Sequence, residues 1–310
     1  MVKVGPKDLI RENICLKSFT SMKVGGVADF FVEVSTIDQL KEVVGWAVKR
    51  DLPYKVLGRG TNVIPGSLGY RGLVILNKMQ NIIFDLSTSQ AIVGSGYHLS
   101  KLILEAASHG MGGMEALFGI PGSVGGALSV NAGTHGVEFG SFIKSVSVLN
   151  PSGSIENKKP SWFDFAYRSS KLKHSKTKHP CIVINLVIQF QKKKNEGIVS
   201  EIAKYKKFRE ANQPIGEMTS GSIFKNPSGS DTATNIKEKS AGYLLEYSGA
   251  KSLSVDGAKV SKKHANWIVN SGKADAKSVR VLADKMKEAV FQKFSVMLEE
   301  EVEYFGQWDS

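Results

Sequence analysis

Cysteine is almost missing from this chain: Cys15 and Cys181 are its only two, far apart and without histidines at metal-ligand spacing. That pattern argues against a disulfide framework and against a zinc site, and leaves two idle thiols. Long hydrophobic runs are missing as well. The longest, residues 181–190, is about half of the ~20 residues that a membrane-spanning helix needs. Residues 1–11 are charged and poor in apolar side chains, so no secretory leader is expected and the chain reads as cytoplasmic. No Gly-x-Gly-x-x-Gly pattern opens a helix, which disfavours a Rossmann domain. Internal repeats and low-complexity tracts are absent too.

Acid is scarce relative to base, 29 Asp and Glu against 41 Lys and Arg, for a net charge of +12. Lysines cluster within 171–178, 192–194 and 204–207. Neutralising nucleic-acid phosphates is one use of such charge. These clusters, however, lack the stacking aromatics or helix-turn-helix pattern that would carry it. A basic surface also raises the local concentration of small polyanions, and most of these lysines read as solvated surface. Neither a nucleic-acid nor a membrane partner is expected.

What is present is a chain of 310 residues, 42% apolar, with 31 glycines. It is long enough for two or three domains with sizeable cores. Residues 28–34 read as a strand, and Thr36-Ile37-Asp38-Gln39 has the form of a capping box. Ile37, Leu40, Val43, Val44, Ala47 and Val48 then share one helical face. A strand over 54–57 runs into the glycine turn Leu57-Gly58-Arg59-Gly60-Thr61-Asn62. Further on, 91–94, 143–149 and 182–190 read as strands. Leu99, Leu102, Ile103, Ala106 and Ala107 form a helical stripe ending at Gly110. A turn over 191–197 leads to a helix over about 198–211, which Asn212-Gln213-Pro214 ends. Val279, Leu282, Met286, Ala289 and Val290 mark the last main helix, and 298–306 a short acidic strand.

Four segments carry chemistry. The glycine turn at 57–62 offers backbone N–H groups of the kind that surround phosphates. A stretch of small residues, Gly119-Ile120-Pro121-Gly122-Ser123-Val124-Gly125-Gly126-Ala127 followed by Asn131-Ala132-Gly133, reads either as tight turns or as a backbone surface for a ligand. Tyr167-Arg168-Ser169-Ser170 is short and common by itself. In Gly221-Ser222-Ile223-Phe224-Lys225-Asn226-Pro227, a hydroxyl, a cation and an amide lie between a glycine and a proline. Such a segment reads as an ordinary loop or as one that holds polar groups toward a ligand.

Together and in this order, these segments resemble the UDP-N-acetylenolpyruvoylglucosamine reductases, over about residues 18–306. The resemblance implies an α+β fold with a vanillyl-alcohol-oxidase-like FAD-binding region in two parts, residues 1–80 and 81–211. A substrate domain over 212–297 and a C-terminal strand over 298–310 complete it. It implies an NADPH-dependent, FAD-carrying enzyme that reduces a UDP-sugar enolpyruvyl ether, acting as a monomer and needing no metal. Leu57, Gly58, Arg59, Gly60, Thr61 and Asn62, then Ile120, Pro121, Gly122, Ser123, Gly125, Gly126 and Asn131, match the family's flavin contacts. Ser222 matches its proton donor and Arg168 the arginine beside the substrate carboxylate. Aligning residues 298–306 with the family's Pro-Glu-Val-Arg ending makes Glu301 the third catalytic group, with Glu299 and Glu300 as alternatives. Glu300 then stands at the proline position and Glu303 at the arginine position. Tyr167, Lys225, Asn226, His264 and Asn266 are expected at the substrate, though His264 also reads as a structural histidine. His135 departs from the family's tyrosine after Asn-Ala-Gly-x. The lack of a longer insertion points to the shorter, second type of the family. A flavin oxidase of the same fold, the competing reading, does not require the serine, arginine and glutamate together.

Overall fold

The computed structural model describes residues 9–227 and 240–309; most of the segment read for a leader lies outside them. The chain divides into two compact units that are interleaved in sequence. One holds Met1–Ile14, Asp29–Arg59 and Gly72–Lys207; the other holds Cys15–Ala28, Gly60–Arg71 and Phe208–Ser310. The first unit includes residue 80 and ends at Lys207, and the C-terminal segment falls in the second. Two short early segments join the second unit because their apolar side chains complete its core: Met22, Val24 and Ile64 pack with Ile223, Phe224 and Val302.

Two larger sheets form the body of the first unit. One has the order Arg11–Cys15, Val27–Val34, Tyr70–Asn77, Tyr54–Leu57, and its last pair is parallel. The helix Ile37–Lys49 is entered through the capping box expected: Thr36 Oγ1 accepts from the Gln39 N–H, and Gln39 Oε1 accepts from the Thr36 N–H. Leu40, Val43, Val44 and Ala47 are buried against Val32, Val34, Leu73 and Ile75. The second sheet is antiparallel, in the order Ile155–Lys158, Ile143–Leu149, Ile182–Gln189, Gln90–Gly94, Ile82–Asp85. Its alternating inward residues Val146, Val148, Leu186 and Ile188 pack against Leu99, Leu102, Ile103 and Ala106 of the helix Leu99–Ser108. Leu149, Ile182 and Ile184 turn instead toward the first core. The next helix, Asn195–Asn212, begins three residues earlier than expected, anchored by buried Ile198 and Ile202.

In the second unit, the small sheet Ser254–Val255, Ala258–Val260, Ile268–Asn270 shares a core with the helices Ala241–Tyr247 and Ala276–Phe294. Along the latter, Val279, Leu282, Met286 and Val290 are buried, together with Ala283. Near the C-terminus, Glu303–Phe305 pairs in parallel with Val63–Pro65. No described helix is long and apolar enough to cross a membrane.

Candidate active site

Strand Tyr54–Leu57, whose buried Leu57 is in register with Leu76, delivers the chain to Gly58. A Cβ at Gly58 would lie 2.2 Å from Ser123 Oγ, so the glycine turn rests directly on the small-residue segment. Ser123 is itself fixed: its Oγ accepts from the Gly126 N–H at 3.2 Å, and Gly122 O and Val124 N bond to Leu99 N and Tyr97 O. The main-chain N–H groups of Gly58, Arg59, Gly122 and Ser123 donate to no described residue. Backbone donors left over in two abutting turns suit a ligand pyrophosphate, which is the fit FAD requires. Arg59 adds its charge there. After burial, it is the second cause that holds the His98 imidazole below its ordinary pKa.

Other members of this set act through packing. The Gly125 N–H bonds to Ser95 O at 2.8 Å, and a Cβ at Gly125 would lie 2.9 Å from Ser95 Cβ. Ile120 packs on the core, its N–H bonded to Leu117 O after the 3-10 turn Glu115–Leu117, and Pro121 follows it. Gly60, Thr61 and Asn62 fall in the second unit. Gly60 O accepts from Ser21 N and Ser21 Oγ at 3.0 and 3.2 Å.

Asn131 and Arg168 form one construction. Arg168 sits in a tight turn in which the Ser169 N–H bonds to Ala166 O at 3.0 Å. Its φ of +53° is uncommon for a side chain of this size. Asn131, fully buried and itself at φ +44°, donates to Ala166 O at 3.0 Å and Glu138 Oε2 at 2.9 Å, and accepts from the Gly140 N–H at 2.9 Å. The guanidinium, on a residue 8% exposed, donates to Gly133 O at 2.6 Å and lies over the Tyr167 ring. The Asn-Ala-Gly motif therefore holds the turn that carries the arginine. The Asn131 amide is engaged within the protein, so a flavin contact expected of it reduces to shaping the wall.

The serine segment is held from two sides. On one, Ser222 bridges Trp267 and the Ile223 N–H bonds to Asn266 O at 2.9 Å. On the other, Phe224 faces Glu300, with the Glu301 N–H on Ile223 O and the Lys225 N–H on Glu299 O, both at 2.8 Å. Gly221 turns the chain at φ +82°, and a Cβ there would meet nothing within 4 Å. Ser222 Oγ is bonded to no described residue, and neither are the buried Thr219 Oγ1 and Ser220 Oγ just before it. An ordinary turn serine would bond within its own loop; this one does not.

The C-terminal carboxylates separate clearly. Glu299 is exposed and pairs with Lys225; Glu300 pairs with Lys287. Burial pulls Lys287 down, but Glu300 and Asp284 outweigh it and raise its pKa. Glu301 is tied by its backbone to the serine segment and also to the glycine turn, where Asn62 Nδ2 donates to Glu301 O at 3.4 Å. Glu300 bridges Phe224 through bonds made by the neighbouring residues, so its own N–H points away from the ladder.

Asn226 Oδ1 accepts from the Ala241 N–H at 3.0 Å, at the start of a helix. His264 is mostly buried, and its Nδ1 accepts from the Asn266 N–H at 3.2 Å. Burial first, and then Lys251, lower its pKa, which agrees with the structural reading. One supporting residue was not foreseen. Ser21 ties Gly60 O to Thr219 O; its partners lie 39 and 198 residues away, so no local pattern marks it.

A family model described as "FAD binding domain" matches residues 28–158, and one described as "UDP-N-acetylenolpyruvoylglucosamine reductase, C-terminal domain" matches residues 213–305. The UDP-N-acetylenolpyruvoylglucosamine reductase of Bacillus subtilis is 36% identical over 291 residues, 94% of this chain and 92% of its own. This chain belongs to the UDP-N-acetylenolpyruvoylglucosamine reductase family. The enzyme of that name from Anoxybacillus flavithermus is 37% identical over 96% of this chain and 95% of its own. The crystal structure of UDP-N-acetylenolpyruvylglucosamine reductase from Thermus caldophilus has a TM-score of 0.78 at 33% identity, over 96% of this chain and 99% of that one. The family's α+β flavoprotein architecture is thus the architecture of this chain, with FAD as its cofactor.

Proposed function

We propose that the chain reduces UDP-N-acetylglucosamine enolpyruvate to UDP-N-acetylmuramate with NADPH, supplying a precursor of peptidoglycan, and that Ser222, Arg168 and Glu301 carry the chemistry. Held by the turns at 58–60 and 122–123, FAD would supply hydride transfer from NADPH to C3 of the enolpyruvyl double bond. Negative charge then develops at C2 and its carboxylate, and a proton must reach C2 to complete the reduction. Arg168, always charged and forked, stabilises the enolate. Ser222 gives its hydroxyl proton to C2, and Glu301 supports the developing charge beside it. Gly58, Arg59, Gly60, Gly122 and Ser123 hold the cofactor, Thr61 and Asn62 border it, and Tyr167, Lys225 and Asn226 receive the substrate. Both substrates are membrane-impermeant anions, which fits work in the cytoplasm on small molecules; the chain acts as a monomer.

The observation that best supports this reading is that the Ser222 hydroxyl, beside open space at Gly221, has no partner among the described residues, on a segment paired through its backbone with Glu301. The test is an anaerobic visible spectrum during addition of NADPH and then the enolpyruvyl sugar nucleotide. In the wild type the flavin band bleaches and then returns. In Ser222→Ala it still bleaches, while its return slows by ~10²–10⁴-fold, the usual worth of a positioned general acid. Equal loss in both halves would make Ser222 a support rather than the donor. A protein that shows no flavin band even with added FAD would overturn the whole reading.

A further inference from the structure

Asn266 is expected among the substrate groups, yet its side chain is turned entirely to the protein. The residue is 4% exposed. Its Nδ2 donates to Phe224 O at 2.8 Å, and its Oδ1 accepts from the Phe224 N–H at 3.0 Å. A primary amide offers a donor and an acceptor in one plane, which lets it satisfy both backbone groups of a single residue. With the main-chain bond from Ile223 N–H to Asn266 O, it continues the short ladder that begins at the Ser222–Trp267 bridge. Asn266 is presented by a turn in which the Trp267 N–H bonds to His264 O and the Asn266 N–H to His264 Nδ1. Both backbone groups of Phe224 go to this one side chain, while the Lys225 N–H and Ile223 O on either side of it pair with the Glu299–Glu301 segment.

We propose that Asn266 is a positioning residue for proton delivery: by clamping Phe224 it fixes the backbone two residues beyond Ser222 and so sets where the serine hydroxyl stands, without touching substrate. This rests on the reading of Ser222 as the proton donor. A donor must be placed to a fraction of an ångström to be effective. An extended segment held at residues 223–225 transmits that placement directly to residue 222.

Asn266→Asp tests the clamp. An ionised carboxylate accepts the Phe224 N–H but cannot donate to Phe224 O, whereas a protonated carboxyl restores both bonds. Flavin reoxidation by the enolpyruvyl substrate is expected to fall about tenfold near pH 8.5, the worth of one broken buried bond. It should recover toward the wild-type rate near pH 5.5, because a buried carboxyl beside a carbonyl oxygen titrates high. Flavin reduction by NADPH should keep the wild-type profile throughout. Other titratable groups face this segment: His264 on its own element, Lys225 with Glu299, Glu300 and Glu301 on the ladder, and Lys251 and Glu246 around His264. All are common to both proteins and cancel in the ratio of variant to wild type.

A pH-independent ratio with both half-reactions slowed together would make Asn266 merely structural and overturn the proposal. Weaker substrate binding with normal reoxidation at saturation would make it a substrate contact and overturn it too. Ser222→Ala, run in parallel, separates the two ideas. Normal reoxidation in Ser222→Ala removes the reading beneath the proposal; normal reoxidation in Asn266→Asp with loss in Ser222→Ala removes the proposal alone. In the double variant, the second substitution should add nothing. Should Asn266→Asp not fold, Asn266→Ser removes the clamp without burying a carboxyl, and its loss should again be confined to reoxidation.

Discussion

The arginine turn of the first unit and the serine segment of the second are each held by a buried asparagine, but to different ends. Asn131 grips a turn in which Arg168 itself carries the left-handed backbone conformation, and its guanidinium is anchored on Gly133 O. Asn266 grips an extended segment in which Gly221 carries the positive φ and Ser222 stays unbonded among the described residues. On the proposed roles, a charge that stabilises an enolate works best when it cannot reorganise, which fits a residue with a left-handed backbone and a fixed anchor. A proton donor must still have its hydroxyl available, so the constraint falls on its neighbours instead. The same amide chemistry thus locks one side chain and merely places the other.

The strongest way to break this comparison is to keep the charge and change its shape. Arg168→Lys should slow flavin reoxidation by ~10²–10³-fold, because an ammonium cannot reproduce two parallel bonds to a carboxylate while still reaching Gly133 O. Stopped-flow reoxidation by the sugar nucleotide reads this directly, and a loss under about threefold would show that a fixed fork is not needed. Next comes Asn131→Ala. It strands the buried Gly140 N–H, while the Ala166 carbonyl keeps its bond from Ser169, so unfolding in urea should show a loss of ~1–3 kcal/mol. An unchanged midpoint would mean that the turn holds its strain unaided.

Much of this was legible in the sequence, for reasons that differ by element. The capping box at Thr36, the strand at 54–57 and the stripe from Leu99 to Ala107 are local patterns, and the structure repeats them closely. The motifs were legible as a set because their residue types are unusual together. Their wiring was not. Asn131 and Asn266 were placed at cofactor and substrate by the family resemblance, which carries the motifs but not the partners of their side chains. The farthest of those partners lie 35 and 42 residues away. The interleaving of the units was hidden for the same reason: Met22, Val24 and Ile64 read as scattered apolar residues until they join a core built mainly after residue 208.

A smaller effect sharpens the account of the C-terminal carboxylates. Glu301→Gln should slow reoxidation by ~10–10²-fold if that carboxyl assists the enolate. Glu299→Gln, which breaks only an exposed ion pair with Lys225, should change it less than about twofold. The reverse order would move the catalytic role two residues along the chain.

The smallest effect concerns His264, which supports the turn behind Asn266. Burial, then Lys251, lowers its pKa in the folded protein, whereas in the unfolded chain it titrates near an ordinary ~6.5. Below that pH the unfolded chain binds a proton that the folded protein refuses, so stability falls as pH drops toward the folded value and is unaffected above about 6.5. The urea midpoint of the wild type should therefore fall between about pH 7.5 and pH 5.5 by more than that of His264→Gln, which has no imidazole to charge. Parallel curves for the two proteins would mean that His264 takes up its proton without opening the turn. On that side, the serine segment would then owe its placement to Asn266 and not to His264.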